Sequence, residues 1–140
     1  MINNLLNDMY LKNIKVTNQN NQIKLIYKEG SLDDGLRNKI KQYKKALLKR
    51  LQQNAAAQQM GFLVYNHGQF YEYRFGKGSY LYVERYSDGS GCAWRENYMF
   101  GRTKPYKMIV VAEKVRFERA LEKAMSFVQW LSKKRGVKRY

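Results

Sequence analysis

The chain is poor in the residues that staple a fold covalently or hold a metal. Its 140 residues include one cysteine, one histidine and one proline. A lone Cys92 excludes an intramolecular disulfide framework and a zinc site built on cysteines. A lone His67 leaves no second imidazole for a metal site or a two-histidine relay. Long apolar runs are also missing. The longest, Met108–Ala112, is far short of the roughly 20 residues a membrane-spanning helix takes. The N-terminus has no basic stretch leading into an apolar run, so no signal peptide is expected, and the expected location is the cytoplasm.

Acids are the other scarce class. Eleven Asp and Glu face 27 Lys and Arg, a formal net charge of +16 and a pI of about 10. Residues 1–60 hold 11 of the basic and four of the acidic residues, so the excess runs through the whole chain and is not a tail. Solubility alone asks for a net charge of only about 2–8 on a small domain. A larger excess repels itself and favours polyanions. Nucleic acid is the first candidate partner, an anionic membrane surface the second and an acidic protein the third. The length allows one domain, or two very small ones sharing a helix.

What is present is a change of character near residue 60. Before it, Ile2, Leu5, Leu6 and Met9 recur at helical spacing within Ile2–Asn13. Ile14–Thr17 and Gln22–Tyr27 then alternate apolar and polar, with Ile14 and Val16 on one face and Ile23 and Leu25 on another. Asn18-Gln19-Asn20-Asn21 supplies the turn between these strands, because Asn tolerates a left-handed backbone. Ser31 is the expected N-cap of the next helix, with Asp33 and Asp34 in its first turn. Leu32, Leu36, Ile40, Tyr43, Leu47 and Leu51 predict one continuous apolar stripe along it. The Ala/Gln-rich residues 54–60 serve as a helix extension or a linker, between a module at 1–53 and a second part at 61–140.

The second part is rich in aromatics. Phe62–Tyr65, Phe70–Phe75, Tyr80–Tyr86 and Cys92–Tyr98 are strand-like and separated by Gly-containing turns, which predicts a meander of about four strands. Met108–Ala112 is a short strand or a helix lead-in. Glu113–Lys134 reads as a helix burying Phe117, Leu121, Ala124, Val128 and Leu131, followed by a basic tail. The fold class expected is α+β: an α-β-β-α module, then an antiparallel meander packed on a C-terminal helix.

Constellations for catalysis are thin. Glu72, Glu84 and Glu96 fall on adjacent predicted strands and are the one set that could form a carboxylate site, but Arg74, Arg85 and Arg95 beside them make cross-strand ion pairs the commoner outcome. Cys92 and His67 lack any flanking signature of a nucleophile and its base. Gly76-Lys77-Gly78-Ser79 lacks the spacing of a phosphate-binding loop and leads into a strand, so it reads as a hairpin turn. Tyr71, Tyr73, Tyr80, Tyr82, Tyr86, Trp94 and Tyr98 interleave with cations, as on surfaces that stack single-stranded nucleic acid. Strand aromatics are equally good core and interface residues, and alternation sends about half of them to the helix side.

One pattern in the first part has a family likeness. Leu5-Leu6-x-x-Met9, Ile14-x-Val16, a polar turn, Ile23-x-Leu25 and a helix ending Lys44-Lys45-Ala46-Leu47-Leu48-x-x-Leu51 resemble the TubC-type N-terminal docking domain of nonribosomal peptide and polyketide synthetase subunits. The resemblance covers residues 2–52. It implies a small, often dimeric α-β-β-α-α module that takes up an acidic linear segment of a partner by strand addition. The receiving strand would be Gln22–Tyr27, with Gln22, Lys24, Ile26 and Lys28 as its docking residues. The region after residue 60 is a basic α+β unit and not a carrier, condensation or adenylation domain. A free-standing accessory protein, of the kind phages and plasmids encode, fits better than a synthetase subunit.

The resulting expectation is a non-enzymatic basic binding protein without cofactor or metal, acting on nucleic acid or a nucleoprotein complex. An anti-CRISPR-like inhibitor or regulator is one concrete form. Its phosphate contacts would be Arg37, Lys41, Lys44, Lys45 and Lys49 on the helix, and Arg74 and Lys77 near the meander turn. Arg102, Lys104 and Lys107 in the loop, and Lys133, Lys134, Arg135, Lys138 and Arg139 in the tail, would complete them. The N-terminal module would supply self-association as a homodimer, or partner docking. The alternatives are a protein-only docking module for an acidic segment and a small carboxylate-dependent enzyme acting on nucleic acid.

Overall fold

The computed structural model describes residues 1–135; Lys138 and Arg139 lie outside the described residues. The chain is α+β and divides into two units. One is Met1–Ala56 with Asn66–Gly68; the other is Ala57–Tyr65 and the residues from Gln69 on.

In the first unit, α1 (Ile2–Leu11) buries Leu5, Leu6 and Met9 along one face. It ends where Asn13 turns left-handed (φ 57°), and the Ile14 amide donates to the Met9 carbonyl at 2.8 Å. Strands β1 (Lys15–Gln19) and β2 (Gln22–Ile26) pair antiparallel in register Val16↔Leu25 and Asn18↔Ile23. The turn is shorter than expected. Only Asn20 and Asn21 are in it, both left-handed, and Asn18 Oδ1 accepts from the Asn21 amide at 3.0 Å. Cross-strand pairing also puts Val16 and Leu25 on one face, so Val16, Ile23 and Leu25 all pack on a single core with Ile14.

Two expectations for the following helix are corrected. The N-cap is Asp33, whose Oδ1 accepts from the Leu36 amide at 2.7 Å; Ser31 instead donates its hydroxyl to the Lys28 carbonyl. The carboxylate lies three residues before the amide it caps, the reach that satisfies an orphan donor. The helix is also not continuous. It breaks at Tyr43 (φ −103°, ψ 20°) into α2 (Asp34–Gln42) and α3 (Lys44–Met60). No glycine or proline marks the break. Leu36, Ile40 and Leu47 are buried in one core across it, with Tyr43 packed against them. Residues 54–60 continue α3 as helix.

Arg50 on α3 is buried (8% exposed) yet charged. Its guanidinium donates to Asn3 Oδ1 on α1 and to the His67 carbonyl at 3.0 Å. Asn54 Nδ2 donates to the same carbonyl at 3.2 Å, and Asn3 Nδ2 donates to the Asn66 carbonyl at 3.1 Å. Asn66 and His67 are both left-handed, so this short turn presents its carbonyls to α1 and α3.

Among the described residues the second unit is a meander of five strands, the four expected and, of the two options for Met108–Ala112, the strand: β3 (Leu63–Tyr65), β4 (Phe70–Gly76), β5 (Ser79–Arg85), β6 (Ser90–Asn97) and β7 (Lys107–Arg116), side by side in chain order and all antiparallel. Residues 113–116 are strand, not helix; α4 starts at Phe117 and runs to Lys134. Pairing of Val115 with Gly91 and Arg116 with Ser90 overrides the local helical spacing. α4 lies on one face, where Phe117, Ala120, Leu121, Ala124 and Val128 meet Tyr71, Leu81, Val83, Ala93 and Ala112. Gly91 permits the approach: a Cβ there would stand 2.8 Å from the Glu84 carbonyl and 3.0 Å from the Phe117 ring.

Candidate docking groove and aromatic sheet face

Two places gather side chains with binding potential, one in each unit. In the first, the sheet has two strands among the described residues, and none of these pairs with the outer edge of β2. A two-residue turn of left-handed residues closes on a hydrogen-bonded pair, here Gln19 and Gln22. Alternation then points the backbone groups of Gln22, Lys24 and Ile26 at β1, and those of Ile23 and Leu25 outward. Beside that edge lies a cavity of about 300 Å³. Half-buried Ile23, Leu25 and Leu32 give its apolar lining, and exposed Arg37, Lys41 and Lys44 its basic lining.

The cavity lining differs from the set expected on β2. Of the four expected, Gln22 lines the cavity, whereas Lys24, Ile26 and Lys28 are exposed and do not. The outward backbone of Ile23 and Leu25 is the feature that residue-type reasoning missed. The signal that could have found it is the turn length, which sets the hydrogen-bonding parity of the strand. Lys45 and Lys49 are exposed on α3 and line no part of this cavity.

In the second unit, the face of the sheet opposite α4 carries rows of paired residues. Phe70, Glu84 and Cys92 form one row, Glu72, Tyr82, Trp94 and Val110 the next, and Arg74, Tyr80, Glu96 and Met108 the third. Ring contacts run across it: Phe70 to Tyr82 at 5.4 Å, Tyr82 to Trp94 at 5.4 Å, and Tyr80 to Tyr82 at 5.9 Å with planes only 4° apart. Tyr98 meets Tyr80 edge-on at 5.8 Å.

The carboxylates and cations of this unit do not pair as expected. Glu84 and Arg85 are neighbours in sequence, so a strand sends them to opposite faces. Arg85 stacks 3.5 Å above the Phe117 ring and donates to Tyr71 Oη at 3.2 Å; Arg95 sits over the Phe127 ring. Both belong to the α4 side. Glu96 accepts from Trp94 Nε1 at 2.9 Å and from the Tyr98 hydroxyl, and Glu72 accepts from the Tyr65 hydroxyl at 3.4 Å. The hydrogen bond to Glu96, then burial, raises the Tyr98 pKa. Burial, helped by Tyr98 and the nearby glutamates, pushes the Tyr82 pKa up to about 12. Cys92 Sγ lies 3.1 Å from the Tyr86 hydroxyl, and His67 belongs to the first unit. Among the described residues no three His, Cys, Asp or Glu side chains are grouped to hold a metal ion.

At one end of this face lies a cavity of about 690 Å³. Tyr80, Tyr82 and Tyr98 line it together with Arg74, Lys77 and Arg102. Arg74 donates to Tyr80 Oη at 2.9 Å and stands 5.2 Å above its ring; Lys77 stands 5.4 Å above the Phe100 ring. Gly78 makes the cavity possible. Its carbonyl accepts from the Tyr98 amide at 2.7 Å, and a Cβ would come within 2.5 Å of the Tyr98 carbonyl. The loop after β6 is thereby held against the β4–β5 turn. The remaining expected cations are elsewhere: Lys104 and Lys107 are exposed outside the cavity, and Lys133, Lys134 and Arg135 are exposed around the C-terminal end of α4.

Among the described residues no helix is long and apolar enough to cross a membrane. No curated protein and no solved structure matches the chain. Residues 2–53, which contain the β1–β2 hairpin and the groove beside it, match the family model of the TubC N-terminal docking domain.

Proposed function

We propose that the protein is a non-enzymatic adaptor whose first unit docks an acidic linear segment of a partner protein along β2. The observation that carries this reading is the juxtaposition of an unpaired strand edge at Ile23 and Leu25 with a cavity lined by Arg37, Lys41 and Lys44. An added strand satisfies the free backbone groups, and its apolar side chains enter the cavity while its carboxylates meet the cations. The family match over residues 2–53 supports the same use.

The test uses a synthetic hexapeptide alternating Glu with Val, against a control with Lys in place of Glu. Binding should protect the amides of Ile23 and Leu25 from hydrogen exchange and leave that of Lys24 unchanged. The double variant Arg37→Glu, Lys41→Glu should lose binding while keeping its circular dichroism spectrum. Equal binding of the Lys control, or full affinity in the variant, would sink the reading.

A second reading, engagement of nucleic acid or a nucleoprotein complex, has its own observation in the convergence of Arg74, Lys77 and Arg102 on a tyrosine-lined cavity. The net charge of +16 supports it. Oligonucleotide affinity should then fall steeply with salt, as counterion release requires.

A further inference from the structure

We propose that the open sheet face of the second unit is a stacking site for single-stranded nucleic acid, with bases on Tyr80 and Phe100, phosphates on Lys77 and Arg102, and a base amino group on Glu72. The inference deepens the nucleic-acid reading and rests on it.

The chemistry is arranged in two layers. Arg74, Lys77 and Arg102 are exposed, whereas Glu72 and the tyrosines are half-buried. A single strand has the complementary order: phosphates outside, flat bases carrying exocyclic amino groups inside. Among the described residues Glu72 accepts one long hydrogen bond, at 3.4 Å, so its carboxylate keeps acceptor capacity for the amino group of cytosine or adenine. An acidic peptide fits worse, because its carboxylates would meet Glu72. A duplex fits worse as well, because its bases are already stacked on one another and cannot reach rings recessed below a rim.

Phe100 makes the ligand class specific. It is 93% exposed, on the loop held by Gly78, with the Lys77 ammonium over its ring. An apolar ring so placed contributes nothing to the core. Together with the parallel rings of Tyr80 and Tyr82 it offers π-faces beside cations, the combination that holds single strands with little sequence preference. Glu72 adds a modest preference for bases with an amino group over thymine and uracil.

The full chain is titrated against 5′-labelled 12-mers of dC, dA, dT and rC, and against a mixed-sequence duplex, by fluorescence anisotropy over a salt series. Single strands should bind at least tenfold more tightly than the duplex, with dC and dA ahead of dT. Binding of rC would extend the site to RNA; dC alone would restrict it to DNA, and both support the site. Phe100→Ala, which cannot disturb the core, should weaken single-strand binding by roughly tenfold, the loss of one stacked base. Lys77→Gln should lower the salt slope by about 0.7. Glu72→Gln should erase the advantage of dC over dT. Wild-type affinity in both Phe100→Ala and Tyr80→Ala, with melting temperatures recorded, would overturn this site while leaving the nucleic-acid reading intact. Equal affinity for the duplex would do the same. Failure to bind any oligonucleotide would remove both.

Discussion

Arg50 and His67 are tied through a main-chain carbonyl: Nη1 of the buried guanidinium donates to the His67 oxygen at 3.0 Å and also reaches Asn3 Oδ1. A buried charge is tolerable only when its donors are used. Here they hold a left-handed turn, Asn66–His67, against two helices of the first unit.

Replacing Arg50 with Met therefore keeps the stem and removes the donors. The His67 carbonyl retains Asn54, but Asn3 Oδ1 loses the guanidinium. The expected cost is about 1–3 kcal/mol, read as a lowered urea midpoint with an unchanged slope. An unaltered midpoint would show that the guanidinium contributes no more than its methylenes.

Acid should destabilise the first unit through His67. Burial, and then the charge of Arg50, hold its pKa below the ordinary 6.5. The unfolded state thus binds a proton that the folded state refuses. The neutral imidazole's contribution is fully present above about 6.5 and is lost as pH falls through the lower folded value. His67 is the chain's one histidine, so a decline in melting temperature between pH 7.5 and 5.5 is assignable to it. His67→Gln should flatten that decline. A decline of equal size in the variant would place its origin in the carboxylates.

The start of α2 separates two candidate caps. Asp33→Ala removes the acceptor of the Leu36 amide, and Ser31→Ala removes only a hydroxyl bonded to the Lys28 carbonyl. Thermal melting should fall further for Asp33→Ala than for Ser31→Ala. The reverse order would return the cap to Ser31.

Much of the architecture was legible. Leu5, Leu6 and Met9 at helical spacing, the alternation around Ile23 and Leu25, and the glycine-punctuated aromatic runs each report a local period, and local periods follow from side-chain geometry. The misses have different origins: the Asp33 cap and the short Asn20–Asn21 turn are local, whereas the strand at Glu113–Arg116 is not. Tyr43 breaks a helix whose apolar spacing continues across it, and Glu113–Arg116 forms strand because Gly91 and Ser90 offer it a partner. At Glu113–Arg116 a partner distant in sequence outweighs a weak local preference.

The candidate sites divide in the same way. Composition and pattern by themselves determined that the chain is strongly basic, that its first part follows a docking-domain pattern, and that its second part is an aromatic meander with one helix. Only the tertiary structure decided which groups stand together. Strand pairing turned Arg85 and Arg95 toward α4 and left Tyr80, Tyr82 and Trp94 on the open face. Turn parity faced the backbone of Ile23 and Leu25 outward. Of the many cations, Arg37, Lys41 and Lys44 line one cavity and Arg74, Lys77 and Arg102 the other. Charge is a property of composition, but a binding site requires convergence, and convergence is set by contacts between residues far apart in the chain.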